Sequence, residues 1–249
     1  MPDHLVTRRE GAWVELTLNR PQCRNALSRA LIDDLTAALR SAAGDDDVRA
    51  IILTGAAPAF SAGLDLREVA HSTAAQAEHD ASHLLTLFET VDQLPKPVIA
   101  AVNGPAVAGG AGLVSVCDLV ICGQSGVIGY PEIKRGLVAA IVMTYLRRIV
   151  GERRAKYLLL TGENLSAQRA LEFDLCNEVV PDAELMPRAR QMAERLAGYP
   201  PRAMSNTKSL WNRIRTLQHQ EALREARDLN ATMRLTDESR DGIGNFLGK

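Results

Sequence analysis

Two glycine-rich stretches and one carboxylate are the residues of this sequence whose types and spacing could do chemistry. The first stretch is Ala59-Phe60-Ser61-Ala62-Gly63-Leu64-Asp65-Leu66, placed after a Gly55/Pro58 turn. The second runs from Ala101 through Asn103-Gly104-Pro105 to Ala108-Gly109-Gly110-Ala111-Gly112. Each follows a predicted strand and leads toward a predicted helix, so each can present backbone N–H groups that have no partner inside that helix. Two such loops facing one another could bind an oxyanion. Taken alone, either would read as ordinary turn glycine. Glu132, in Tyr130-Pro131-Glu132, could move a proton. The same place also suits a solvated glutamate in a helix's first turn, stabilised by the dipole after a proline.

The elements that must position these groups alternate along the chain. Val14, Leu16 and Leu18 alternate with Glu15 and Thr17, a half-buried strand that Asn19-Arg20-Pro21 ends. Ser28 can cap a helix in which Leu31, Leu35, Ala38, Leu39 and Ala42 recur at helical spacing until Gly44. A strand from Val48 to Leu53, a helix from about Ala74 to Val91 and a strand from Val98 to Val102 follow. Leu113-Val114-Ser115-Val116 reads as a further apolar strand segment, before another from Leu119 to Cys122. The expectation is an α/β core of repeated strand-strand-helix turns to about Val180. After Asp182 the apolar residues recur only at helical spacing.

A chain of 249 residues with 46% hydrophobic content can bury a large core. Its 29 Lys and Arg nearly cancel its 30 Asp and Glu, so no overall field draws it to nucleic acid or an anionic membrane. The N-terminal sequence has no apolar run after a basic stretch, and no run reaches the roughly 18 residues needed to span a bilayer. Cys23, Cys117, Cys122 and Cys176 show no C-x-x-C spacing and sit in or beside apolar runs. These features predict a cytoplasmic, unexported protein without a metal site or membrane segment.

Phe60-Ser61-Ala62-Gly63-Leu64-Asp65-Leu66 followed by Ala101-Val102-Asn103-Gly104-Pro105-Ala106 and Ala108-Gly109-Gly110 resembles the paired loops of the crotonase (enoyl-CoA hydratase/isomerase) superfamily. Asn19-Arg20-Pro21, Asn25-Ala26-Leu27, Cys117-Asp118, Pro131-Glu132, Ile149-Val150-Gly151 with Ala155, Leu160-Thr161-Gly162 and Asn177-Glu178-Val179-Val180 fall in the family's order. The resemblance implies a ββα spiral core over 1–195 for acyl-CoA binding and catalysis, and a helical region over 196–249 at subunit contacts. It further implies a homotrimer or a homohexamer built of two trimers. Coenzyme A would be part of the substrate, with no separate cofactor.

Carried over residue by residue, the oxyanion donors would be the N–H groups of Leu64 and Gly109, and the general acid/base would be Glu132. Arg24 is the expected contact for the nucleotide phosphates. Ala26, Ala62, Gly63, Asp65, Leu66, Arg67 and Gly110 would line the thioester and nucleotide, with Phe246 and Lys249 in an ending that resembles the family's C-terminal helix. His71, His79 and His83 fall in the region that lines the acyl pocket in relatives and read as surface residues. Ala140 stands where the aroyl-CoA dehalogenase branch would place a nucleophilic aspartate, which sets halide displacement aside.

Gly112 is the main departure, because two-glutamate hydratases of the family keep their other carboxylate there. One glutamate with a small partner position resembles the Δ3,Δ2-enoyl-CoA isomerases and also methylglutaconyl-CoA hydratase-like proteins. Water addition and double-bond shift therefore both stay open. So do decarboxylation and thioester hydrolysis, for which Tyr130 is the residue to watch, and a non-catalytic acyl-CoA-binding paralogue. An RNA-binding relative within the superfamily is a further alternative, against which stand the near-zero net charge and the lack of an aromatic-interleaved basic stripe in this sequence.

Overall fold

The computed structural model describes residues 4–248, and its elements alternate as the spacing predicts. Strands β1 (Leu5–Glu10) and β2 (Trp13–Leu18) form a hairpin. β1 leaves little sequence signal because all of its residues after Leu5 are exposed. Ser28 caps α1 (Arg29–Gly44) by accepting from the Leu31 N–H, and Leu31, Leu35, Leu39 and Ala42 are buried along one face. β3 (Ala50–Gly55) starts two residues after the expected Val48, whose N–H instead closes a turn on the Asp45 carbonyl.

α2 (Leu66–Ala70), α3 (Ala74–Gln93), β4 (Val98–Val102), β5 (Pro105–Val107) and α4 (Gly109–Ser115) carry the chain through both glycine stretches. Leu113-Val114-Ser115 is thus helix rather than strand. A four-residue apolar run fits either element when both faces are covered, and here the buried helix wins. Strands β6 (Leu119–Gly123) and β7 (Val127–Gly129), helix α5 (Ala140–Thr161, broken at Gly151), β8 (Asn164–Ser166), α6 (Ala167–Glu172) and β9 (Glu178–Val180) complete the core.

The larger sheet has the order β1-β2-β3-β4-β6-β9, parallel except for the hairpin, and β5-β7-β8 form a smaller second sheet. The chain passes from the larger to the smaller sheet at Asn103-Gly104, which sets the second glycine stretch between the two. Strand alternation then sorts the core. Ile51, Leu53, Val98, Ala100 and Val102 face α1 and α3, while Ala50, Ile52, Ile99 and Ala101 face Leu185, Ala189 and Ala193 of α7 (Leu185–Ala197). Covering both faces is what a parallel sheet requires.

After α7 come α8 (Pro201–Ile214), α9 (His219–Met233) and α10 (Asp237–Phe246), and none of the three has a buried residue. α8 is tied to the core through polar contacts. Lys208 Nζ lies 2.7 Å from Asp118 and also donates to the Val91 and Lys96 carbonyls, while Asn212 and Arg215 meet Asp92. No helix of the described residues is long and apolar enough to cross a membrane.

Candidate active site

The first loop is shaped from beneath by Asn25. Its side chain, fully buried, donates to the Ala56 and Ala59 carbonyls at 2.8 and 2.7 Å and accepts from the Arg20 N–H at 2.8 Å. Ser61 Oγ donates to the Asn25 carbonyl and accepts from the Gly63 N–H at 3.2 Å. On the far side of Leu64, the Asp65 N–H donates to the Leu27 carbonyl at 3.0 Å. The N–H groups before and after Leu64 are therefore engaged. Among the described residues nothing accepts from the N–H of Leu64 itself.

The second loop crosses the first at Ser61, whose N–H and carbonyl bond Pro105 and Val107. The Ala108 N–H is spent on the Gly129 carbonyl, and Gly109 opens α4, so its N–H has no acceptor among the described residues. Ala108 sits at φ 52°, ψ −126°, a conformation that costs a non-glycine residue about 1–3 kcal/mol and turns the chain into α4 here. The two free N–H groups are neighbours. A Cβ built on Gly63 would lie 2.9 Å from Gly109 N, and one built on Gly109 would lie 3.5 Å from Leu64 N. Gly110 allows the crossing, since a Cβ there would meet the Ser61 carbonyl oxygen at 2.4 Å.

Leu64 and Gly109 both border a cleft of about 960 Å³, and Glu132 borders it too. Glu132 lies on a single 3-10 turn, Pro131–Arg135, that follows β7. Its Oε2 is buried and has no hydrogen-bond partner. Burial pushes its carboxyl above the ordinary glutamate range, with its own backbone N–H and the Arg135 guanidinium pulling partly the other way. The result is a carboxyl group on the cleft with an unused oxygen and a tendency to hold its proton.

Gly112 is enclosed. A Cβ there would stand 2.6 Å from Val142 Cγ2 and 2.7 Å from Phe88 Cζ, so two apolar side chains cover Gly112, and Val142 lines the cleft. Tyr130 is buried, points its hydroxyl at Ser115 Oγ at 2.8 Å and does not line the cleft.

Of the other expected contacts, Arg24, Ala26, Ala62, Asp65, Leu66 and Arg67 line the cleft, with Arg24 and Arg67 exposed. Gly63 and Gly110 lie behind its wall. The Asp65 carboxylate is occupied structurally: it caps α2 through the Arg67 N–H and pairs with Arg20 at 3.0 Å. Phe246 is 89% exposed and away from the cleft, and Lys249 falls outside the described residues. His71 and His79 are exposed, whereas His83 is half-buried, in tilted ring contact with His79 and 3.3 Å from Asp33. Lys134 and Arg135, beside Glu132, and Ser72 and Asp80, far from it in sequence, also line the cleft. Adjacency to Glu132 could have flagged the first pair; Asp80 is brought to the cleft only by the fold.

Residues 8–249 match the enoyl-CoA hydratase/isomerase family. The chain belongs to that family, within the crotonase superfamily. A Thermus thermophilus relative, provisionally named an enoyl-CoA hydratase, is 40% identical over 98% of each chain. The 2,3-dehydroadipyl-CoA hydratase of Escherichia coli is 34% identical over 98% of this chain and 96% of its own. The crystal structure of an enoyl-CoA hydratase from Mycobacterium smegmatis superposes with a TM-score of 0.95 at 32% identity, covering 99% of this chain and 96% of that one. The α/β core with its C-terminal helices is thus the crotonase fold, and this chain is an enzyme of the enoyl-CoA hydratase/isomerase family.

Proposed function

We propose that the protein acts on an enoyl-CoA thioester through an enolate, with Glu132 as the sole general acid/base. The observation that carries this is the juxtaposition on one cleft of two neighbouring, unengaged N–H groups, Leu64 and Gly109, with a buried, unpartnered carboxyl oxygen of Glu132. The thioester carbonyl would accept from both N–H groups. Charge developing on that oxygen would meet donors already in place, and each is worth about 2.7–4 kcal/mol of barrier.

Water addition is the first reading, supported by the hydratase names of the relatives. Glu132 takes a proton from the water that attacks the β-carbon, and a proton is returned to the α-carbon of the enolate. The apolar closure at Gly112 favours a second reading, a double-bond shift, because it offers no second carboxylate to grip a water. In that reaction Glu132 takes a proton from the carbon next to the carbonyl and returns it two carbons further along.

The test is a panel of 2-enoyl-CoA and 3-enoyl-CoA thioesters in heavy water, with products followed by mass spectrometry. Glu132-dependent gain of one water supports hydration. Interconversion of the two series without that gain supports the shift. If Glu132→Gln turns over either series as fast as the parent, the role given to Glu132 is wrong. Arg24, Arg67, Lys134 and Arg135 at the cleft supply positive charge for the coenzyme A phosphates. By the same family reasoning the protein works as a homotrimer or homohexamer with residues 196–249 at the subunit contacts, and its free cysteines fit a reducing cytoplasm.

A further inference from the structure

We propose that Asp80 is a specificity-determining residue: held by Arg29, it keeps anionic chain ends out of the acyl side of the cleft, so the substrates are thioesters whose acyl chains end in an uncharged group. This rests on the acyl-CoA reading above and narrows it to a substrate class.

The acyl side is taken as the side next to Gly112, where the family resemblance places the second carboxylate. Val142 of α5 lines the cleft there, and behind it Phe88 of α3 packs over Gly112. Toward its N-terminus, α3 presents Leu84, Ala81, Asp80 and Ala77 to the same cleft. Seven residues of helix at 1.5 Å per residue carry that face about 10 Å from Leu84 to Ala77. Leu137, Val138 and Ile141 line the cleft as well, so an acyl chain running along α3 meets alanine, leucine, valine and isoleucine. Asp80 and Ser72 interrupt that apolar lining.

Arg29 fixes the carboxylate in a two-point pair, Nε to Oδ1 at 2.6 Å and Nη2 to Oδ2 at 2.7 Å. Ser72 Oγ lies 3.1 Å from Arg29 Nη2 and 3.3 Å from Asp80 Oδ2. The guanidinium does not line the cleft. It borders a small separate void with Leu27, Glu68 and His83; Asp80 borders both that void and the cleft, so of the pair only Asp80 reaches the cleft.

Nor does Arg29 leave the region neutral. Its backbone N–H donates to Glu68 Oε2 at 3.0 Å, which brings a second carboxylate near the pair, and Asp33 stands 3.3 Å from His83. Hydrogen bonding to Arg29 holds the Asp80 carboxyl below its usual range, so it stays ionised. A carboxylate at the end of an acyl chain would be brought against that anion while losing water, which opposes binding. A methyl end would meet Ala77 and Ala81 without that penalty.

Steady-state kinetics with two six-carbon 2-enoyl-CoA thioesters, one ending in methyl and one in carboxylate, test this directly. The parent protein should favour the methyl end by about tenfold or more in kcat/KM, chiefly through KM. Asp80→Asn, which removes the anion and releases Arg29, should bring the ratio toward one or invert it. Asp80→Glu should keep the preference, separating charge from loss of fold, and thermal melts confirm that each variant is folded. Calorimetric binding of the saturated hexanoyl and ω-carboxylated six-carbon CoA thioesters reads the same selectivity without catalysis. If neither substrate turns over yet binding still discriminates, the catalytic reading falls and this one stands. Equal affinity for both ends in the parent, or an unchanged ratio in a folded Asp80→Asn variant, overturns it.

Discussion

Glu132 combines a buried, unpartnered oxygen with a raised pKa, and both properties have measurable consequences. Replacing it with glutamine should lower kcat by about 10²–10⁴-fold, the usual contribution of a positioned acid/base. The same change should stabilise the fold at neutral pH. A carboxyl whose folded pKa is raised favours the native state below its unfolded pKa and loses that contribution as pH rises through the folded value. The Tm advantage of Glu132→Gln should therefore grow as pH rises across the Glu132 titration and vanish below the ordinary glutamate range. Scanning calorimetry over that pH series checks it. Gly112→Glu makes the opposite case. Its Cβ alone would fall 2.6–2.7 Å from Val142 and Phe88, so the variant should lose about 1–3 kcal/mol to overpacking and gain no hydratase rate. A stable, faster Gly112→Glu enzyme would show that the wall yields easily.

The paired loops act through their backbone, and their geometry comes from contacts the sequence only partly advertises. The glycines and the Asn25-Ala26-Leu27 motif were legible. The reason for them was not, because it depends on Asn25 reaching Ala56 and Ala59, more than thirty residues away. Gly63 can be tested alone: it holds φ 83°, and a Cβ there would press on Gly109 N and the Val107 carbonyl at 2.9 Å. Gly63→Ala should cost 10²-fold or more in kcat, on the order of losing one oxyanion donor, while CoA thioester binding falls less. Rate and affinity measured on the same preparation distinguish this from general unfolding. The misread segment, Leu113-Val114-Ser115, shows the limit of pattern at this level. With Leu113 and Val114 buried and Ser115 half-buried, it is too short to show either period.

Across the molecule, the C-terminal helices stand apart from the buried core. α8, α9 and α10 bury no residue, and Trp211, Leu235 and Ile243 are 68, 71 and 53% exposed. Such exposure is what a subunit contact leaves in an isolated chain. Because Trp13 is buried, Trp211 reports on that face. Sedimentation should give a trimer or hexamer. Trp211→Glu should shift it toward monomer, whereas a parent that sediments as monomer at micromolar concentration would remove the contact assigned to these helices.

Periodicity and turn chemistry by themselves determined the alternating α/β order, the helical last quarter and both glycine loops, because these follow from local spacing and from residues near in sequence. The ordered motifs determined the family. Tertiary structure alone decided which N–H groups stay free, because that depends on where every neighbouring donor finds its acceptor. It also decided that Phe88 and Val142 cover Gly112 and that Asp80 reaches the cleft while its partner Arg29 stays behind it. Those are meetings of side chains from separate helices and loops, and no spacing along one chain encodes them.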